Sequence, residues 1–479
     1  MAQTLAEQVT EAIHFVYASY GRLTKERHTG YDRDVRNPHW TRRILDQLGN
    51  PDHEGFNIAV TGSKGKGSHS ILVAGILQRL GFRVGLFTSP HLVDFLERIR
   101  VQGEIISEEA FLRWVRVVQE VVRQFDVPDD EYIGPVGLVA AVAALFFRDC
   151  HTDFNVYELG RGALHDDVNQ VVHQGAVIAP IFPEHLDRLG PTWEDVVREK
   201  MGILTEDTRF AVSYRQEAFV QKWMDMYASA APAHRIYLDQ DIHVDLRAGD
   251  EDTAIVEATY GDWTHRARIG TALRPFYENV GVALVAAAMA IRNRSAGQAP
   301  YSTDWRNGRA IEVDLTDMVQ PGRLQVIQHS PTIVIDGSIH EVNARFVRRW
   351  VEEHQANGPM GRVVAIFSLP DDKDAPGVLR TLSPVVDEIV FTTSSNRHLS
   401  YTRDLLTHVG SFAGRVDVIP SVETALSSAV DRAQPPDLVL CIGTQSFVGD
   451  ALRFFRVPTS SIWRSERGSK EQLHASPEE

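Results

Sequence analysis

Residues 58 to 69 read IAVTGSKGKGSH, in which Gly62, Gly65 and Gly67 alternate with Ser63, Lys64 and Lys66 before a hydroxyl at Ser68. Glycines let a turn aim successive backbone N–H groups at one point, and ammonium groups beside them add positive charge. Residues of these types at this spacing suit phosphate. Gly62 to Ser68 are therefore expected to cradle a nucleotide, with Lys66 reaching the outer phosphates. The strict nucleotide loop GxxxxGK[ST] is not met, because Gly67 rather than a hydroxyl follows Lys66. The bland alternative is a tight turn with a solvated lysine.

Three further groups stand at the ends of apolar runs. TSPHLVDFLERIRVQG (88–103) puts Ser89 and His91 just past one run, Glu158 closes FNVYEL (154–159), and His185 follows AVIAPIFPE. If those runs are neighbouring strands, the groups gather at the carboxyl end of a sheet, where ligands of such sheets bind. Hydroxyl, carboxylate and imidazole together suit a magnesium ion beside a triphosphate. Taken singly, a strand-end glutamate is usually solvated and His185 reads as a surface histidine. In GPTWEDVVREKMGI (190–203), Thr192 followed by Asp195 reads as a capping box. Lys200 then falls in the last turn, where a lysine is ordinarily an exposed cation favoured by the helix dipole.

The elements that must position these groups show in the apolar pattern. FNIAV (56–60) precedes the glycine loop, and SILVAGILQRLG follows as a helix stopped by Gly81. FRVGLFTS (82–89), FNVYEL and AVIAPIF (176–182) are continuous apolar runs, so a mostly parallel sheet covered on both faces is expected. VGLVAAVAALFF (136–147) is too short to span a bilayer and reads as a buried helix, as does LRPFYENVGVALVAAAMAIR (273–292). The chain turns polar at AGQAPYSTDWRNG (296–308). Beyond it PTIVIDG, RVVAIFS, EIVFTT, RVDVIP and LVLCIGT recur as strands with helical segments between. The expected organisation is a ligand-binding domain over 1–300, a smaller α/β domain over 301–462, and a polar tail over 463–479.

Composition bounds what such a chain can do. Its 479 residues exceed one ordinary core, and 43% hydrophobic with 24% charged residues is ordinary for a globular protein. A net charge of −15 argues against a nucleic-acid partner, so any anion must be held by a local pocket. No segment reads as a signal peptide or a membrane span, and a cytoplasmic monomer is the expectation. Cys150 and Cys441 lie far apart without metal-ligand spacing and read as two reduced, buried thiols.

Taken together, VTGSKGKGS, SPHLVDFLERIRVQGE, ELGRGALHDDVN, EHLDRLGPTWEDVVREKMGI, QPGRLQ, IDG, PDDKD and CIGTQSFVGDAL resemble the folylpolyglutamate synthase and dihydrofolate synthase branch of the Mur ligase superfamily. The resemblance implies a P-loop-type, parallel-sheet ATP-binding domain followed by a smaller Rossmann-like α/β domain, with the site completed by domain closure. It implies an ATP-dependent ligase. The carboxylate of a folate-like acid takes the γ-phosphoryl group, and the amine of a glutamate-like amino acid displaces phosphate to give an amide, with ADP released. Lys66 and the loop would hold the β- and γ-phosphates. Ser89 and Glu158, with Ser68 as an alternative, would hold Mg2+, and His185 would bind metal near the acyl phosphate. Lys200 matches a lysine that carries a carbamate. Asn279, Arg323 and Asp336 match nucleotide-contacting positions, and His340 joins Lys66, His185 and Lys200 as catalytic. A role for K+ is left open.

The chain also departs from that pattern. Lys64 stands for the usual Asn of GTNGKGS, and Glu184 for the aspartate of a DH pair. E.GLGGRLDATN appears as ELGRGALHDDVN, with Asp166 and Asn169 kept, Leu164 in place of arginine, and Arg161 three positions earlier. DGAHNP appears as DGSIHEVN, which puts His340 one position late, and Phe276 replaces a glutamine before Asn279. Two alternatives therefore stand beside a folate ligase: the same chemistry on another carboxylic acid, and a relative that binds nucleotide without ligating.

Overall fold

A computed structural model describes residues 3–22, 29–228, 231–250, 253–295, 310–357, 360–410 and 412–463. The polar stretch 296–308 and the tail from 464 lie outside these residues. Contacts divide the chain into two compact units, one of Met1–Ser89 with Arg98–Asp317 and one of Pro90–Glu97 with Met318–Glu479.

The first unit is built on an eight-stranded sheet. Its strands are β1 (Phe56–Thr61), β2 (Val84–Phe87), β3 (Ile99–Val101), β4 (Glu104–Ile105), β5 (Phe154–Glu158), β6 (Gly175–Ile178), β7 (Phe210–Ser213) and β8 (His234–Tyr237). They lie in the order β4-β3-β2-β5-β1-β6-β7-β8. From β2 to β8 all pairs are parallel, and β3 and β4 add an antiparallel edge. The central strands are buried from end to end, which is why they read as unbroken apolar runs. β1 and β2, consecutive in sequence, have β5 between them, and β1 also pairs with β6. The loops after β1, β5 and β6 therefore share one end of the sheet.

The helix Lys66–Arg79 covers β1, β2 and β5 and buries Leu72, Val73, Ile76 and Leu77 completely. Each such side chain contributes about 1.5–3 kcal/mol. The expected apolar helix spans Pro135–Asp149, and the one expected over 273–292 is a 3-10 turn, Thr271–Phe276, running into the helix Tyr277–Ser295. A second sheet of four strands, β9 (Ile242–Ala248), β10 (Thr253–Tyr260), β11 (Trp263–Gly270) and β12 (Glu312–Leu315), completes this unit. Charged residues such as Asp245, Arg247, Arg266 and Arg268 stand exposed along it, so it lacks the unbroken apolar signal by which the main sheet is recognised. Because β12 pairs onto β11, the unit extends to Asp317, past the polar stretch at which the sequence suggests a boundary.

The second unit has a six-stranded sheet of β13 (Gln325–His329), β14 (Thr332–Asp336), β15 (Val363–Ser368), β16 (Glu388–Phe391), β17 (Arg415–Val418) and β18 (Leu438–Gly443), in the order β13-β14-β18-β15-β16-β17. Only β13 runs antiparallel to its neighbour. Leu92 and Val93 pack against its core, so Pro90–Glu97 belongs here despite its place in the sequence. Both cysteines are free; Cys441 is buried in this core, whereas Cys150 is only half-buried, a correction to the expectation of two buried thiols. Among the described residues, no helix is long and apolar enough to cross a membrane.

Candidate active site

The glycine loop takes its shape from two close approaches. Gly62, at φ 138°, lies so near Ala179 that a Cβ there would stand 2.6 Å from the Ala179 Cβ. Gly65, at φ 89°, starts the helix in the left-handed region without a side-chain cap. The first-turn N–H groups thus have no capping oxygen, and a helix N-terminus of this kind favours an anion. Ser63 pins the loop: its N–H donates to the Pro180 carbonyl (2.8 Å), and its hydroxyl donates to the Phe182 carbonyl (2.8 Å) and accepts the Phe182 N–H (3.0 Å). Ser63 holds the glycine-loop backbone in place with groups that are already engaged.

Lysines converge on Glu184. Lys200 Nζ lies 3.3 Å from Oε1 and Lys64 Nζ 3.5 Å from Oε2. Lys66 Nζ and Lys200 Nζ both donate to the Gly62 carbonyl at 3.0 Å, and Lys200 also donates to the Arg161 carbonyl at 2.6 Å. Lys200 is fully buried, which corrects the expectation of an exposed helix-end cation. Its helix forms as the sequence suggests, with the Thr192–Asp195 capping box in place, but the last turn faces the core rather than water. The three donors of its ammonium are matched by three acceptors, which is how the buried charge is tolerated.

The electrostatics follow from that cluster. Burial would push the Glu184 carboxyl up, but Lys200, Lys66 and Lys64 outweigh it and hold it at about 2. Burial lowers Lys200 to about 8 against the pull of Glu184, with Lys66 and Lys64 adding repulsion. His185 follows Glu184 in the left-handed region (φ 50°), a conformation that costs a non-glycine residue about 1–2 kcal/mol. Its Nε2 lies 3.9 Å from Glu184, and desolvation brings it to about 4. It is neutral at pH 7, the form that can ligate a metal.

Across the start of the loop helix stand Glu158 and Ser89. Glu158 ends β5 opposite Val60 of β1, and its Oε2 accepts the Ser89 N–H at 3.1 Å. A side chain at Gly67 would touch both its carboxylate oxygens at 3.6 Å, so the glycine brings the helix start against the carboxylate. Ser68 is buried in the same turn. Among the described residues no group of three or more His, Cys, Asp or Glu could hold a metal alone. A metal here would need oxygen ligands from a hydroxyl, a nucleotide and water, which is the habit of Mg2+.

Other expected residues lie elsewhere. His91 is part of the segment that belongs to the second unit, where its ring meets that of Phe95. Asn279 sits in the first turn of Tyr277–Ser295, next to Glu278, which accepts the Tyr214 hydroxyl; the Tyr214 ring meets His69 of the loop helix edge-on. Arg323, Asp336 and His340 belong to the second unit. Asp336 is buried, accepts the Leu324 N–H (2.8 Å) and the Ser338 hydroxyl, and is raised by burial against the nearby Arg323 charge. His340 Nε2 lies 3.8 Å from Asp374. Asp166 pairs with Arg36 (3.2 Å) and Asn169 donates to the Gly202 carbonyl (2.9 Å). Sequence reasoning treated Glu184 only as a departure. The excess of lysines around the loop, which must have a counter-anion, was the signal that could have identified its role.

The Mur ligase glutamate ligase domain family matches residues 322–445. The chain is 27% identical over 421 residues to a dihydrofolate synthase/folylpolyglutamate synthase of Bacillus subtilis, covering 85% of this chain and 92% of the relative. Its fold is similar to that of Mycobacterium tuberculosis folylpolyglutamate synthase complexed with ADP, with a TM-score of 0.76, 23% identity, and coverage of 94% of this chain and 99% of that one. A bifunctional folylpolyglutamate synthase/dihydrofolate synthase with Mn, AMPPNP and L-glutamate bound is similar at a TM-score of 0.73 and 21% identity, covering 95% and 100%. With the glycine loop, the buried lysine on its capping-box helix and the β5 carboxylate in hand, the chain carries a Mur ligase, glutamate ligase domain over residues 322–445 and is similar over most of its length to folylpolyglutamate and dihydrofolate synthases.

Proposed function

We propose that this protein joins a glutamate-like amino acid to the carboxyl group of a folate-type acid, using ATP and a divalent metal and releasing ADP and phosphate. The observation that carries this is the gathering of Lys64, Lys66 and Lys200 at one turn around the carboxylate of Glu184. A triphosphate and a substrate carboxylate repel each other, and preorganised cations are what bring two such anions together. A carboxylate oxygen attacks the γ-phosphorus and ADP leaves. The amine nitrogen then attacks the acyl carbon, loses a proton, and phosphate departs.

Lys66 and the loop N–H groups would hold the β- and γ-phosphates. Glu158, Ser89 or Ser68, and neutral His185 would hold Mg2+, which when bound cancels charge on the transferring phosphoryl group. Asn279, Arg323 and Asp336 are assigned to the nucleotide, and His340 to catalysis, by resemblance. Lys200, lowered to about 8, holds more neutral amine at pH 7 than a free lysine, and the neutral amine is the form that adds to CO2 with loss of a proton to give a carbamate. The relatives solved with ADP, and with Mn and AMPPNP, support the nucleotide and the metal. A pool of ATP fits a cytoplasmic location, and a monomer is proposed.

The test is ADP release with dihydropteroate or tetrahydrofolate plus glutamate and Mg2+. Turnover should require all components, and Lys66→Ala should lower kcat by about 100-fold or more. No turnover with either pterin, but turnover with another acid, selects the non-folate ligase; nucleotide binding without turnover on any acid selects the non-ligating relative. A carbonyl resonance from 13C-bicarbonate that is absent in Lys200→Met would identify the carbamate, and an unmodified lysine under saturating bicarbonate would remove it.

A further inference from the structure

Amide formation of the kind proposed for this protein needs a proton acceptor. An amino acid brings its nitrogen as an ammonium, which has no lone pair until one proton is removed. The acceptors of the first unit placed so far are engaged. Glu184 faces Lys64 and Lys200, Glu158 and His185 are given to the metal, and Asp166 pairs with Arg36 at 3.2 Å. A further imidazole–carboxylate pair lies one residue from Lys200.

On the helix Trp193–Met201, Glu199 precedes Lys200, and the segment 161–165 is fastened across this last turn. Lys200 Nζ donates to the Arg161 carbonyl at 2.6 Å, and the Leu164 N–H donates to the Glu199 carbonyl at 2.9 Å. Gly162 lets the backbone pass close. A Cβ there would stand 3.3 Å from Glu199 Oε2 and 3.4 Å from Leu189, in the short helix that follows His185. Glu199 is 2% exposed. Its Oε1 lies 2.7 Å from His165 Nδ1, and its buried Oε2 has no hydrogen-bond partner among the described residues. An ionised carboxylate only accepts, so Nδ1 carries the hydrogen and Nε2 is the ring position left to exchange a proton. The His165 side chain is 26% exposed, so the pair runs from a buried charge to an accessible ring. The run E.GLGGRLDATN has leucine where this chain has His165, so no role reaches this residue by resemblance.

A buried carboxylate behind an imidazole fixes its tautomer and orientation, and stabilises the imidazolium that forms when the ring takes a proton. We propose that His165 is a further catalytic residue of the ligation, its Nε2 taking a proton from the ammonium of the incoming amino acid, with Glu199 as its positioning residue. One N–H bond breaks and the proton goes to Nε2. The freed lone pair forms the C–N bond to the acyl carbon. The C–O bond to phosphate breaks, its electron pair leaves on phosphate, and a second amine proton is lost with it. The imidazolium then returns its proton to water. This role rests on the ligase function proposed above; the His165–Glu199 pair does not.

The test compares two amines on the full chain at pH 7.5, with saturating ATP and Mg2+ and the acid that the ADP-release assay selects. Glutamate must be deprotonated, whereas hydroxylamine is already neutral at this pH and captures the acyl phosphate as a hydroxamate without a base. His165→Gln should lower kcat with glutamate by about 100-fold or more, the usual contribution of a general base, and leave hydroxamate formation at the parent's rate. That second rate also shows that the variant folds and activates the acid. Glu199→Gln keeps an acceptor for Nδ1–H but removes the charge, and should lower kcat with glutamate alone while KM for ATP stays in place. Added imidazole should restore glutamate turnover to His165→Ala, and this rescue decides the matter if the parent forms no hydroxamate. Equal kcat with glutamate in parent and His165→Gln overturns the proposal and returns the role to another group such as His340. Equal losses with both amines overturn it too, since they mark a merely structural pair. No ADP release by the parent on any acid would instead sink the ligase function, and this role with it.

Discussion

Glu184 and Lys200 set opposite pH windows because their shifts have opposite consequences. Glu184 is held at about 2, below the ordinary carboxyl value of 4.5, so the folded protein binds fewer protons there than the unfolded chain. The stability it contributes is fully present above about pH 4.5 and is lost as pH falls toward 2. Glu184→Gln should cost about 1–3 kcal/mol at pH 7, since it leaves buried ammonium groups without their counter-charge, and the gap to the parent chain should close below pH 4.5 in denaturant titrations. Lys200 runs the other way. Its folded value of about 8 lies below the ordinary 10.5, so the unfolded chain keeps a proton that the folded chain has shed. Stability should rise between pH 8 and 10.5, by at most about 1.4 kcal/mol per pH unit, and Lys200→Met should remove that rise.

Two elements bear the site, and each has a position that cannot change quietly. Gly62→Ala would place a methyl group against Ala179 at a φ that L residues rarely adopt. The variant should lose ATP binding before it loses the sheet, read by calorimetry beside circular dichroism, because the distortion falls on the loop rather than on β1. On the helix Trp193–Met201, Thr192→Ala removes the hydroxyl half of the capping box, leaving the backbone N–H at 192 on the Asp195 carboxylate, and should cost about 1 kcal/mol. If the fold at that helix start only supports Lys200, kcat should change little once the protein is folded. The spacing of Thr192 and Asp195 was enough to foresee this cap, since a capping box is local chemistry. The burial of Lys200 was not foreseeable in the same way, because which face of a nine-residue helix meets the core depends on elements distant in sequence.

At the scale of the molecule, a segment of eight residues crosses from the sequence of one unit to the structure of the other. Within the second unit Glu97 accepts the N–H groups of Leu92, Val93 and Asp94 (2.9, 3.1 and 2.9 Å) and the Thr459 hydroxyl at 2.7 Å. Gly449 lies so close that a Cβ would stand 2.0 Å from the Leu92 carbonyl. Glu97→Ala should free these donors and loosen the packing of Leu92 on the core. Hydrogen exchange should quicken at residues 92–94 and along Gln445–Phe454, while β1 and β5 keep their protection. Uniform protection across all of these would show that the segment is not held by that carboxylate.

What the sequence determined by itself was everything written in short range. The central strands show as unbroken apolar runs because both faces of the sheet are covered, the loop shows because glycine and lysine have few other reasons to alternate, and the family resemblance shows because several such runs keep their order. Tertiary structure alone decided which charges meet. Glu184 became the partner of Lys64 and Lys200, and β5 came between β1 and β2 to set Glu158 against Gly67. Apolar periodicity is a property of neighbours along the chain, whereas a charge takes its energy from whatever lies within a few ångströms in space, and no local pattern records that.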